Sequence, residues 1–140
     1  MDDHAPRAPL SLMDFVNAAK AGIDELNPAA AKEWLERQPD PLVLDVREAS
    51  EYEQGHLANA LLVPRGILEA AADPAYPKHV PVLAAARRRP TLVYCATGGR
   101  SAMAVATLAL MGFEQVASLD GGFSRWEQEG LPVAREARSV

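Results

Sequence analysis

The 140-residue sequence contains one cysteine and only three histidines. A single cysteine excludes an internal disulfide and any site built from several thiolates. His4, His56 and His79 are scattered without ligand spacing, so no metal is expected, and no motif asks for a cofactor. Apolar runs fall far short of the roughly 18 residues of a membrane span. The opening Met1-Asp2-Asp3-His4 lacks a basic region followed by an apolar stretch, so no secretory signal is expected and a cytoplasmic location is. An excess of positive charge is missing too. Fourteen Lys and Arg face 19 Asp and Glu, a formal net charge of −5. That balance disfavours nucleic acid or an anionic membrane as partner. It does not exclude a small anion, which responds to local donors rather than to total charge.

What is present fits one compact soluble domain: an apolar fraction of 49% and a length that buries a real core without staples. Helical and extended patterns alternate along it. A helix is expected from Ser11 to near Gly22, with Asp14 opposing the dipole in its first turn. Residues 23–26 read as a short strand. Asn27 as N-cap and Pro28 at the first helical position open a helix over 28–37 that places Ala31, Trp34 and Leu35 on one face. The continuous apolar run 42–46 fits a strand covered on both sides. A short helix over 50–54 ends at Gly55, a strand follows over 60–63, and 67–72 is helical. Residues 73–81 hold three prolines and read as loop. The run 91–95 is a strand. Residues 100–111 form a helix with Val105, Leu108 and Ala109 inward and Gly112 as its stop. A strand over 116–119 and a helix over 123–128 complete the chain. This alternation predicts an α/β domain with a parallel sheet between two helical layers.

The chemistry concentrates in Cys95-Ala96-Thr97-Gly98-Gly99-Arg100-Ser101. The cysteine ends a strand and a helix starts a few residues later. In open α/β sheets ligands bind beyond the carboxyl ends of the strands. Small residues let the loop curl tightly, so that its N–H groups converge above the sulfur. The helix N-terminus adds roughly half a positive charge. Both effects favour thiolate over thiol, and the same donors suit an anion or a terminal persulfide sulfur. A single cysteine is often an inert core residue, but two glycines and an arginine at a strand-to-helix turn fit that reading poorly. The loop lacks the Gly-Lys-Ser/Thr ending of a phosphate-binding P-loop.

Three blocks of this sequence resemble the rhodanese family. The first is Leu44-Asp45-Val46-Arg47-Glu48 with Glu51-Tyr52, Gly55-His56-Leu57, Asn59-Ala60 and Val63-Pro64. The second is the Cys95–Ser101 loop. The third is Leu119-Asp120-Gly121-Gly122-Phe123 with Trp126 and Gly130-Leu131-Pro132-Val133. The resemblance spans 23–133, leaving 1–22 as a tail and extra helix and 134–140 as a tail. It implies a central, mostly parallel five-stranded sheet flanked by helices, and sulfur transfer through a cysteine persulfide. Cys95 matches the catalytic cysteine. Four residues separate Cys95 from Arg100, as in the sulfur-transferring members; the related phosphatases and arsenate reductases carry one more.

The resemblance thus implies a sulfurtransferase taking sulfur from thiosulfate or another persulfide donor to a thiol or cyanide, the thiol being carried by a small molecule or a partner protein. A sulfur-carrier or sensing module loaded by a partner protein, and a phosphatase-like or arsenate-reductase-like enzyme, are the alternatives. The substrate-binding candidates are Ala96, Thr97, Gly98, Gly99, Arg100, Ser101 and Arg65. Arg100 either positions an anion or closes the loop by an ion pair with Asp45 or Glu51. Ser101 either donates to the sulfur or caps the helix, and Thr97 is expected to face solvent. Arg65 either attracts an anionic donor or is an ordinary solvated arginine. Asp45, Arg47 and Glu51 read as a structural charge network, His56 as a structural histidine, and Arg87-Arg88-Arg89 as a hydrated helix end.

Overall fold

The computed structural model describes residues 7–135; of the tails expected over 1–10 and 134–140, residues 1–6 and 136–140 lie outside the described residues. The chain runs α1 (Leu12–Lys20), β1 (Asp24–Leu26), α2 (Pro28–Arg37), β2 (Leu42–Asp45), α3 (Ala49–Gln54), β3 (Leu61–Leu62), a single 3₁₀ turn (Arg65–Ile67), α4 (Leu68–Ala72), α5 (Pro81–Ala84), β4 (Thr91–Tyr94), α6 (Gly99–Leu110), β5 (Val116–Leu119) and α7 (Gly122–Gln128). The five strands form one sheet in the order β1-β5-β4-β2-β3, and every pair is parallel. The α/β class and the five-stranded sheet stand as expected, with the sheet wholly rather than mostly parallel.

Local chemistry sets the starts of the first two helices. Ser11 and Asp14 form a reciprocal capping box on α1. The Asn27 side chain accepts from the Ala30 amide, and Pro28 occupies the first turn of α2. β2 and β4 are buried along their whole length because helices cover both sides. Alternation along these strands then sorts side chains into two cores. Leu42, Leu44, Val93 and Cys95 face α4, α5 and α6, meeting Leu68, Leu83, Val105 and Leu108. Val43, Leu92 and Tyr94 face the other layer, meeting Ala31, Leu57 and Trp126.

Four expectations need correction. Ala109 is exposed; the buried face of α6 is Ser101, Ala102, Ala104, Val105 and Leu108. Residues 73–81 are not loop to their end, because Pro81 sits in the first turn of α5, where its missing N–H costs nothing. The arginine run is no hydrated helix end. Arg87 donates to the carbonyls of Met111, Ala72 and Ala84 and stacks on Phe113, while Arg89 donates to the carbonyls of Asp40 and Pro41. Only Arg88 is solvated, facing Glu114 at 3.8 Å. Order also continues past 133: Ala134 and His56 exchange backbone hydrogen bonds of 3.0 and 2.7 Å.

Candidate active site

Cys95 follows β4 directly, at the carboxyl end of a central strand, and α6 begins four residues later. The thiol is 1% exposed, yet it does not rest among hydrocarbon alone. The Gly98 amide donates to Sγ at 3.1 Å and the Ser101 amide at 3.4 Å. Gly98 adopts a left-handed conformation with φ of 106°, which turns its amide back onto the sulfur. Ser101 Oγ lies 3.5 Å from Sγ and donates to the Gly98 carbonyl at 3.3 Å.

The orientation of the remaining loop amides follows from α7. The Phe123 amide donates to the Cys95 carbonyl at 2.8 Å and the Ser124 amide to the Ala96 carbonyl at 3.0 Å. A trans peptide holds its N–H opposite to its C=O. With those two carbonyls drawn to α7, the amides of Ala96 and Thr97 point to the other side. Gly99 and Arg100 open α6, and their helical acceptors would be these same two carbonyls. Among the described residues the amides of Ala96, Thr97, Gly99 and Arg100 therefore have no acceptor. Four unsatisfied donors at a helix N-terminus make a cradle for negative charge. Gly122 makes the close approach possible. Its φ is +61°, and a Cβ there would stand 2.6 Å from the Cys95 and Ala96 carbonyl oxygens.

Arg100 resolves to an ion pair. Its guanidinium binds Glu51 in two-pronged fashion, at 2.8 and 3.0 Å. This hydrogen bonding holds the Glu51 carboxyl down at about 2, against the opposing effect of partial burial. The pair ties α6 to α3 beside the cradle. Asp45, the other partner considered for Arg100, belongs to Arg47: the Nε and Nη2 of its guanidinium and its backbone amide donate to the carboxylate at 2.8 to 3.2 Å. Arg47 also holds the Gly55 carbonyl, and the Tyr94 hydroxyl donates to Asp45 at 2.7 Å while accepting from the Leu57 amide. Burial first, and Asp45 second, push the Tyr94 hydroxyl far above its ordinary range. Because Asp45 and Tyr94 sit one residue out of phase with Cys95, this buried network occupies the opposite side of the sheet and supports the strand ends. His56 stacks on Tyr52 with ring centroids 3.8 Å apart, and its Nδ1 meets the Leu57 carbonyl, a structural setting.

Thr97 is exposed at the lip of the cradle. Arg65 stands apart from the loop. Its backbone reaches the end of β2 through the Val46 carbonyl, but its side chain binds Glu69 and Thr107. Thr107 lies about two turns along α6 from the cradle, roughly 12 Å at 1.5 Å per residue. One neighbour escaped sequence reasoning. Ser118 on β5 is fully buried and its hydroxyl is 2.8 Å from that of Ser101. The available signal was a lone hydroxyl inside the run 116–119.

Among the described residues no His, Cys, Asp or Glu cluster could hold a metal, and no helix is long and apolar enough to cross a membrane.

A sulfurtransferase of Allochromatium vinosum is 29% identical over 111 residues, covering 79% of this chain and 94% of that protein. The solved polysulfide-sulfur transferase homodimer of Wolinella succinogenes is 33% identical with a TM-score of 0.66, covering 87% and 85% of the two chains. A Rhodopseudomonas palustris protein of unknown function, named a possible tyrosine phosphatase, is 29% identical with a TM-score of 0.81, covering 93% and 99%. Matched relatives from Mycobacterium tuberculosis and Escherichia coli are longer, and the aligned region is 28% and 32% of their length. The rhodanese-like domain model matches residues 27–129. With that match covering most of the sequence and Cys95 heading the amide-lined loop, the chain belongs to the rhodanese-like domain family.

Proposed function

We propose that the protein is a sulfurtransferase that carries a sulfane sulfur on Cys95. The observation behind this reading is the set of loop amides with no acceptor, grouped around the one cysteine. The Cys95 thiolate attacks the outer sulfur of thiosulfate or another persulfide donor. A new S–S bond forms, the donor's S–S bond breaks, and sulfite or a thiolate leaves with the electron pair. The resulting terminal sulfur carries negative charge, which suits the preorganised amides of the loop. An acceptor thiolate or cyanide then attacks that sulfur and Cys95 departs as thiolate. No cofactor enters either step.

The name of the R. palustris relative raises phosphoryl transfer as a second reading. A phosphoryl group brings two negative charges and asks for an available cation. The Arg100 guanidinium is committed to Glu51, and the loop is one residue shorter than the phosphatase-type loops it resembles. Both features favour sulfur.

The test is thiocyanate release from thiosulfate and cyanide, run beside hydrolysis of p-nitrophenyl phosphate. The expected result is thiocyanate from the wild type, none from Cys95→Ser, and no phosphate release from either. Full activity in Cys95→Ser, or phosphate release without sulfur transfer, overturns the reading.

A further inference from the structure

The family match begins at residue 27, so α1 lies outside it. Yet α1 packs on α6 next to the catalytic loop. Val16 is buried there, 3.5 Å from where a Cβ on Gly99 would stand. Between the two helices is an open cavity of about 270 Å³. Its apolar wall is Leu12, Met13 and Val16 from α1 and Met103 from α6; its floor reaches Thr97 and Gly99 of the loop. Leu12 and Met13 are 68% and 55% exposed, so apolar surface stands in water at the edge of the cradle. The two cations on the cavity wall are engaged, Lys20 by Glu25 at 3.6 Å and Arg100 by Glu51. A small inorganic anion gains nothing from such a wall. A neutral hydrocarbon body does. An apolar cavity of roughly 150 Å³ already accepts benzene, and thioethers adapt to varied shapes.

We propose that this cavity seats the hydrocarbon body of the sulfur acceptor, a small aliphatic thiol, with its sulfur over the Cys95 loop. The inference rests on the sulfur-transfer reading above. In the step it serves, the acceptor thiolate forms an S–S bond to the outer sulfur of the Cys95 persulfide. The bond from Cys95 to that sulfur breaks, and its electron pair stays on Cys95. The helix outside the family match thereby sets acceptor specificity.

The test uses the full chain loaded with inorganic polysulfide, and straight-chain alkanethiols from ethanethiol to hexanethiol as acceptors. These thiols differ little in acidity, so differences in rate report binding. The second-order rate constant is expected to rise about two- to fourfold with each methylene, the gain from burying one CH₂ in part or in full. In a Leu12→Glu/Met13→Glu double variant, altered only at solvent-exposed side chains, the series flattens. A flat series in the wild type, or an equally steep one in the double variant, overturns the proposal while leaving sulfur transfer intact. Failure of every thiol to discharge the loaded protein overturns the proposal alone where cyanide still discharges it, and both readings where cyanide fails as well.

Discussion

Replacing Gly122 by alanine tests how the cradle is built. A Cβ at this position meets the Ala96 carbonyl carbon and oxygen and the Cys95 oxygen, each at 2.6 Å. All three are backbone atoms, so no rotamer change relieves the contact. The left-handed φ of +61° adds a conformational cost of about 1 kcal/mol or more. Together these destabilise the fold by about 3 kcal/mol. At roughly 0.3 kcal/mol per degree for a chain of this length, the melting temperature falls by about 10 °C. Gly130→Ala is the control. Its φ is +74° but nothing lies within 4 Å, so only the conformational part applies, about 1 kcal/mol or 3 °C. Function separates the two further. In Gly122→Ala the N-terminus of α7 must retreat from the Cys95 and Ala96 carbonyls, and the loop amides lose their aim. Since one preorganised donor is worth roughly 10²–10³ in rate, sulfur loading in this variant should slow at least tenfold, while Gly130→Ala loads normally. The assay is thermal unfolding followed by circular dichroism, with loading measured well below both melting temperatures. Equal losses of stability in the two variants, or normal loading by Gly122→Ala, would refute the reasoning.

Removing Arg47 leaves Asp45 as a buried carboxylate without its guanidinium. Arg47→Met should therefore cost about 3–5 kcal/mol by urea unfolding; a loss below 1 kcal/mol would contradict the network's role. The Glu51 carboxyl, held at about 2 against an ordinary value of 4.5, gives stability that is present above pH 4.5 and lost as pH falls toward 2. Both partners are about a third exposed, so the effect is about 0.5–1 kcal/mol. Wild type should lose a little over half of that in excess of Glu51→Gln between pH 6 and pH 3, and identical losses would count against the pairing.

Where local chemistry decides structure, it could be read directly. Asn27 and Pro28 announce α2, and the unbroken apolar runs of β2 and β4 announce strands buried on both sides. The Cys95 loop announced itself for the same reason, because small residues between strand and helix have few other uses. What could not be read depends on partners distant in the chain. Pro77 and Pro81 look like loop until α5 is seen to begin at the second. Arg87 and Arg89 look solvated until the carbonyls of Met111, Ala72, Asp40 and Pro41 come within reach. Ala109 carries the right spacing for a buried face, yet α6 turns its other side to β4 and β5. The aim of the cradle is likewise nonlocal. The loop supplies the amides, but α7, more than twenty residues on, draws two carbonyls away and so orients the N–H groups. The partition between Arg100–Glu51 and Arg47–Asp45 also waits on the fold, since strand alternation places Asp45 on the far side of the sheet.

The central claim is that Cys95 accepts and shelters a single sulfur atom. Intact-protein mass spectrometry after incubation with thiosulfate measures this directly. The account predicts a gain of one sulfur atom that cyanide removes and that Cys95→Ala never acquires. An unchanged mass in the wild type, or the same gain in Cys95→Ala, would contradict it.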